Sequence, residues 1–281
     1  MKKISFLLLP FLFVMLFSCS TNLQLQEHKT TATTTPTTST LDQIIHRGIL
    51  RVGTTGDFKP FSYQLNANSD EFHGVDIQLA KDLAMSLNVK VQFVKTSWPT
   101  LLEDLANEKY DIGMSGITIK LARQQQGLFS IPLLSSGKAA ITRDENIDRF
   151  TSLDAINQVG VRVIVNPGGT NEAFARANFP NATIVQNEDN LSIFQKIVDG
   201  EADLMVTDAV ETRIQELIHP ELEAVNPDDP FNFFEMGYLL PRDFMWKAYV
   251  DQWLNLRQKD RTFQEIFDEE LIKIKERFAK D

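Results

Sequence analysis

The sequence is short of the groups on which many protein chemistries depend. It holds one cysteine, Cys19, in 281 residues, so no intrachain disulfide and no cysteine-based metal site can form. Its four histidines, His28, His46, His73 and His219, are scattered, with neither a metal-ligand spacing nor a Ser-His-Asp grouping among them. No metal and no cofactor is expected. Neither GxGxxG nor Gly-Lys-Ser/Thr occurs, which argues against a nucleotide phosphate loop. Positive charge is scarce as well: 28 Lys and Arg face 38 Asp and Glu, a formal net charge of −10. Such a chain repels nucleic acid and anionic lipid surfaces. If it binds an anion, a few focused cations and helix-end amides must do the work.

Long apolar runs are also missing, with one short exception at the start. Lys2 and Lys3 precede an apolar stretch from Phe6 to Phe17, and Leu16-Phe17-Ser18-Cys19 follows. The stretch falls short of the roughly 18 residues of a membrane span and reads as a signal peptide. Leu-x-Ser-Cys resembles a lipobox, which makes residues 1–19 a lipoprotein-type signal peptide and Cys19 the expected lipidation site. The plainer alternative is an ordinary cleavage beside an incidental cysteine. Loss of Lys2 and Lys3 would leave a charge of −12. Residues 20–40 are polar and Thr-rich and cannot bury enough surface to offset ordering entropy, so they read as a flexible tether. The expected location is periplasmic, with membrane contact only through the lipid.

From Leu41 onward, strands and helices alternate. ILRVGTT, VKVQFVKT and YDIGMSG read as strands, with VDIQLAKDLAMSL and LLEDLANEK as helices between them, the rhythm of a parallel α/β sheet. The order breaks at FSIPLLSSGKAAITR, and a second set follows: VRVIVNPGG, NEAFARANF, ATIVQN, LSIFQKIVDG, ADLMVTD and AVETRIQELI. The helices WKAYVDQWLNLRQ and TFQEIFDEELIKIKERF have no strands of their own and are expected to return to the first lobe. These readings give lobe one as residues 41–137 plus 237–281, lobe two as residues 138–236, and two crossover segments between them. Ligands of such sheets lie beyond the carboxyl ends of the strands.

The candidate residues stand at those ends. GTTGDFKPFS places Asp57 after the first strand, and TSWP places Trp98 before a helix. In MSGITIKLARQQQ, Ser115 and Thr118 close a strand and Arg123 offers a planar fork suited to a carboxylate. Lys138, just after the first crossover, supplies a second cation. In NPGGTNEAFAR, Gly168 and Gly169 allow close backbone approach, and Thr170 reads as the cap of a helix whose amides suit an anion. In VTDAVETR, Asp208 closes a strand and Glu211 stands three residues on. One reading is a capping pair, with Asp at the cap and Glu at the third helical position; the other is a general acid facing the cleft. The residues alone favour the cap.

The lobe order, with ADLMVTD downstream of Arg123, resembles the amino-acid-binding periplasmic receptors of ABC transporters. In that family an arginine holds the ligand α-carboxylate and an aspartate its ammonium. GTTGDFKPFS, TSWPTLLEDLANEKYDIGMSGI, FSIP, NPGGTNEAFARAN, IFQKIVDGEADLMVTDAVE, FNF and YLLPRD are closer still to the enzymatic branch, the cyclohexadienyl dehydratases. The resemblance implies a two-lobed, periplasmic-binding-protein-like α/β fold, each lobe a mostly parallel sheet flanked by helices. It implies conversion of prephenate to phenylpyruvate, or of arogenate to phenylalanine, with Glu211 as the acid. Arg123, Lys138, Gly169 and Thr170 would then meet the substrate carboxylates, with Asp57 and Trp98 as pocket positions. Thr118 stands where that family often has serine, and the tail after Leu256 matches poorly. The alternative is a receptor that delivers an amino acid to a transporter and has no use for an acid at Glu211.

Overall fold

The computed structural model describes residues 39–66 and 69–278. The signal peptide, Cys19 and almost all of the tether lie outside the described residues. The chain enters through α1 (Thr40–Arg47), capped by Ser39, whose Oγ accepts from the Asp42 amide at 3.1 Å. Then follow β1 (Ile49–Thr54), β2 (Asp57–Phe58), β3 (Ser62–Tyr63), α2 (Val75–Ser86), β4 (Lys90–Lys95), α3 (Leu101–Ala106), β5 (Ile112–Gly113), α4 (Leu121–Gln124) and β6 (Leu128–Phe129). β7 (Leu134–Ser136) leads into β8 (Lys138–Arg143), α5 (Leu153–Ile156), β9 (Arg162–Val165), α6 (Thr170–Asn178) and β10 (Thr183–Gln186). α7 (Ile193–Val198), β11 (Leu204–Asp208), α8 (Ala209–Ile218) and β12 (Leu222–Val225) complete that run. β13 (Phe234–Met236) returns the chain to β14 (Leu239–Leu240), followed by α9 (Phe244–Lys259) and α10 (Thr262–Phe278).

Two five-stranded sheets result, ordered β4-β1-β5-β14-β6 and β10-β9-β11-β8-β12. Both are mixed. The first three strands of each order run parallel, and the other two pair antiparallel. The antiparallel strands include those next to the crossovers, where the chain changes sheet and direction: β6 and β8 on one passage, β14 on the other. The crossover strands β7 and β13 pair with each other, Phe234 opposite Ser136 and Met236 opposite Leu134.

The sequence pattern explains the layers. Val75, Leu79 and Leu83 recur every four residues on α2 and bury one stripe against Leu50, Val52 and Ile112. Trp246, Val250 and Trp253 of α9 join the same core. In the second sheet Val163 and Val165 face one core with Phe150 and Phe179, while Ile164 faces the other with Ile193 and Phe194. A strand covered on both faces reads as a continuous apolar run, which is why Val163-Ile164-Val165 was legible. The return of the C-terminal helices is more specific than expected. α10 packs on α2 and α9 and also on α8 of the second lobe. Ile274 of α10 meets Tyr63, Ile214 and Ile218 in one cluster, with Leu271 and Phe278 at its edge. The Tyr63 hydroxyl donates to Glu270 Oε1 at 2.7 Å inside that contact.

One fully buried carboxyl belongs to this frame. Asp76, in the first turn of α2, accepts from the Gly116 amide at 2.7 Å and from the Tyr238 hydroxyl at 3.1 Å. Burial pushes it up to about 7 despite both donors. The folded state therefore holds this proton more tightly than the unfolded chain. Its contribution to stability is present at low pH and is lost as the pH rises from the ordinary carboxylate range toward about 7. Urea unfolding at a series of pH values across that window should show stability falling with pH, and falling less in Asp76→Asn. Equal slopes in the two proteins would show that Asp76 does not set this dependence.

Candidate active site

The ends of β1, β5, β9 and β11 converge between the sheets. They enclose a small polar pocket walled by Phe58, Trp98, Gly116, Thr118, Asn166, Gly169, Thr170, Asn171, Asn190 and Asp208. Five residues expected from the sequence stand in this wall: Trp98, Thr118, Gly169, Thr170 and Asp208. The lobes touch across its rim. Asn190 Nδ2 donates to the Asp57 carbonyl at 3.0 Å. Gly168, at φ +75°, lies so close to Pro99 that a Cβ there would come within 2.6 Å of it, which is why the turn before α6 needs glycine.

The first-lobe candidates support one another. Trp98 Nε1 donates to both Asp57 oxygens at 3.1 Å, and its ring stands edge-on to Phe58, with centroids 6.0 Å apart. Burial raises the pKa of Asp57, with the Thr55 and Trp98 hydrogen bonds opposing. Ser115 lies just behind the wall, its Oγ 2.7 Å from Thr55 Oγ1. Arg123, half-buried on α4, donates through Nη1 to the Thr118 carbonyl at 3.0 Å. Burial lowers the pKa of its guanidinium, while the Asp208 charge acts against that shift.

Lys138 has a different task from that of a loose cation. Its Nζ donates to Thr170 Oγ1 at 3.0 Å and contacts Asn171 Oδ1 and Asp208 Oδ1, which uses all three ammonium protons. It also lies 5.3 Å from the centroid of the Phe234 ring. Lys138 and Asp208 are thus a buried ion pair in the wall of the cavity.

Two local readings need correction. The cap of α6 is Gly169, not Thr170. Thr170 is the first helical residue, and its hydroxyl is turned to Lys138. The capping pair at α8 does not form either. Asp208 occupies the cap position but makes no side-chain cap hydrogen bond, because its carboxylate is engaged by Lys138. Glu211 reaches back past the cap residue: its Oε2 accepts from Thr207 Oγ1 at 2.6 Å, and the residue is 1 % exposed. Desolvation pushes its pKa up to about 8, Thr207 opposes this, and the charges of Asp208 and Asp57 add to it.

Sequence reasoning passed over three residues. Asn166 and Asn190 are buried in the wall, and their Oδ1 atoms have no hydrogen-bond partner among the described residues; two bare acceptors suit a ligand hydroxyl or ammonium. Asn166 lies within NPGG, where attention to polar residues at strand ends would have found it; Asn190 comes from a short 3₁₀ turn without a sequence signal. The third, Lys59, sits in GDFKPFS, half-buried.

A two-lobed α/β frame with a polar pocket between the lobes at the strand ends is the architecture of a binding protein, and sequence comparison agrees. Residues 50–277 match the bacterial extracellular solute-binding proteins, family 3, and the chain belongs to that family. It is 54 % identical over 221 residues to a cyclohexadienyl dehydratase of Pseudomonas aeruginosa, spanning 79 % of this chain and 82 % of that one. A solved ancestral amino-acid-binding protein, described as a precursor of cyclohexadienyl dehydratase, superposes with a TM-score of 0.75 at 36 % identity, over 83 % of this chain and all of that one. A solved ancestral cyclohexadienyl dehydratase gives a TM-score of 0.52 at 47 % identity, over 83 % of this chain and 96 % of the other.

The Lys138–Asp208 pair yields a stability test. Lys138→Met leaves a buried carboxylate without its cation and should cost about 3–5 kcal/mol in denaturant unfolding. Adding Asp208→Asn should recover part of that loss. Additive losses in the double variant would show that the two side chains do not interact.

Proposed function

We propose that the chain is a cyclohexadienyl dehydratase, a carbon–oxygen lyase acting on prephenate or arogenate in the cleft between the lobes. One observation carries this reading beyond the similarity. Glu211 is a carboxyl group beside the cleft, released from capping, shut off from water and held protonated at neutral pH by a pKa near 8. A receptor needs no such group. Loss of a ring hydroxyl does, because hydroxide leaves only with a proton.

In the proposed reaction the bond between the ring and its carboxylate breaks, and its electron pair enters the ring. The hydroxyl on the opposite ring carbon departs with the Glu211 proton as water. Carbon dioxide and the aromatic product remain, and Glu211 is left as a carboxylate. Arg123 would hold the side-chain carboxylate, with the first-turn amides of α6 near Gly169 and Thr170 as further donors. Trp98, braced by Asp57, would pack on the ring, and Ser115 and Thr118 would shape the pocket floor. Lys138 would hold Asp208 and the α6 end in place.

The reading extends to the whole chain. Lobe one comprises residues 41–137 and 237–281, lobe two residues 138–236, and β7 with β13 forms the hinge. Export to the periplasm by the N-terminal signal and lipid attachment at Cys19 belong to the same proposal, supported by a family of extracellular proteins. Among the described residues no helix is long and apolar enough to cross a membrane.

The purified protein mixed with prephenate should release phenylpyruvate well above the uncatalysed rate. If instead it gives no product while an amino acid raises its melting temperature, the transport-receptor reading replaces this one. Glu211→Gln should keep the fold and substrate affinity but lose about 10²–10⁴-fold in kcat; full activity would dismiss Glu211 as the acid. Because the acid works only when protonated, kcat/KM of the unmodified enzyme should hold at neutral pH and fall above about 8. Arg123→Ala should chiefly raise KM, by about tenfold or more, as expected for a lost charge-assisted contact. An unchanged KM would remove Arg123 from the binding set.

A further inference from the structure

Lys59 lies between β2 and β3, on the first-lobe side of the cleft. Its Nζ stands 5.4 Å from the centroid of the Tyr63 ring and 5.0 Å from that of Phe278, a cation held over two aromatic faces. Tyr63 is itself fixed, through its hydroxyl to Glu270 and through its ring to Ile214 and Ile218 of α8. Glu211, Ile214 and Ile218 follow one another at three- and four-residue steps, so they occupy one face of α8. The ring under Lys59 therefore packs against the same helical face that begins with Glu211. Among the described residues Lys59 makes no direct ion pair, whereas Lys138 is spent on Asp208.

Resting on the dehydratase reading, we propose that Lys59 is a positioning residue for the catalytic acid: its aromatic cage holds an ammonium beside α8 as the counter-charge for the Glu211 carboxylate that each turnover creates. The balance of the step requires such a charge. The leaving hydroxyl takes the Glu211 proton as water, the ring carboxylate leaves as carbon dioxide with its electron pair passing into the ring, and a negative charge stays on a side chain that is 1 % exposed. The groups around Glu211 do not neutralise it. Asp208 and Asp57 repel a carboxylate there, and the attraction from Lys138 is already shared with Asp208.

The charges facing Lys59 fit the role. Glu211 on α8 and the exposed Asp189 on the loop before the 3₁₀ turn both favour its charged form, and burial opposes it. On α10, Glu270 accepts from Tyr63, and the Arg277 charge acts on the same hydroxyl. Without the Lys59 ammonium, Glu211 would hold its proton more tightly and give it up less readily, so the enzyme would be slower at neutral pH yet stay protonated further into alkali.

Lys59→Met and Lys59→Arg in the full chain, assayed with prephenate from about pH 6 to about pH 9.5, test this directly, because a purely structural residue would not move the alkaline limb. In Lys59→Met that limb should shift up by about one pH unit, while kcat at neutral pH falls about tenfold and KM stays within about twofold. Lys59→Arg should restore the limb. A limb unmoved in Lys59→Met overturns the proposal whatever happens to kcat, and so does a KM increase with kcat unchanged, which would mark Lys59 as a substrate contact. A carbon-13 titration of the Glu211 carboxyl gives the midpoint without turnover: an upward shift in Lys59→Met supports the pairing, and no shift overturns it. Absence of turnover in the unmodified protein overturns the dehydratase reading itself, and the titration still decides the pairing.

Discussion

Much of this structure follows from the need to keep water away from one face of α8. Glu211 retains a proton at neutral pH only because its carboxyl group is desolvated, and desolvation there takes more than one element. Thr207 at the end of β11 offers a hydroxyl to it, the first lobe closes the front, and α10 crosses from the first lobe to cover Ile214 and Ile218 on the same face. A carboxylate in such a place would cost far more than a neutral acid. The fold thus favours the protonated form before any ligand arrives, as the proposed role of Glu211 as a proton donor requires.

The Lys138–Asp208 pair shows how a binding frame is turned to this end. In the amino-acid receptors that the sequence resembles, the aspartate of this segment is the partner of a ligand ammonium. Here a lysine from the first strand after the crossover takes that carboxylate. The pair ties β8, β11 and the start of α6 together, since the same ammonium reaches Thr170 and Asn171. It also frees the adjacent helix end: with Asp208 engaged, no side chain caps α8, and Glu211 can turn toward Thr207. The same two residues that looked like a helix cap are separated by a single competing cation.

This competition explains what the sequence could and could not tell. The α/β layers were legible because Val75, Leu79 and Leu83 keep a helical period and Val163, Ile164 and Val165 form an unbroken apolar run. The strands β2, β3, β6 and β14 span two residues each, too few for any period to register. Trp98, Thr118 and Asp208 were legible as candidates because strand ends are where such cavities form. Glu211 was legible as a candidate acid only through the family resemblance: Asp-x-x-Glu at a helix start means a capping pair unless something removes the aspartate, and Lys138 lies 70 residues from Asp208. Asn166, beside proline and glycine, reads as a turn, and Asn190 carries no sequence signal at all; only their burial in the wall marks them.

The tail after Leu256, expected to match poorly, lies almost wholly within the family match, which runs to residue 277. Even so, α10 contributes none of the residues that line the pocket. It packs on α2 and α9, presents Ile274 and Phe278 to Tyr63 and α8, and offers Glu270 to the Tyr63 hydroxyl. The last contacts fasten the Glu211-bearing helix of the second lobe to the first lobe from outside the cleft. A receptor that must release its ligand gains from lobes that part easily. Under the proposed reaction, in which Glu211 must stay dry to act as the acid, a strap that resists parting is a gain, and α10 is placed as one.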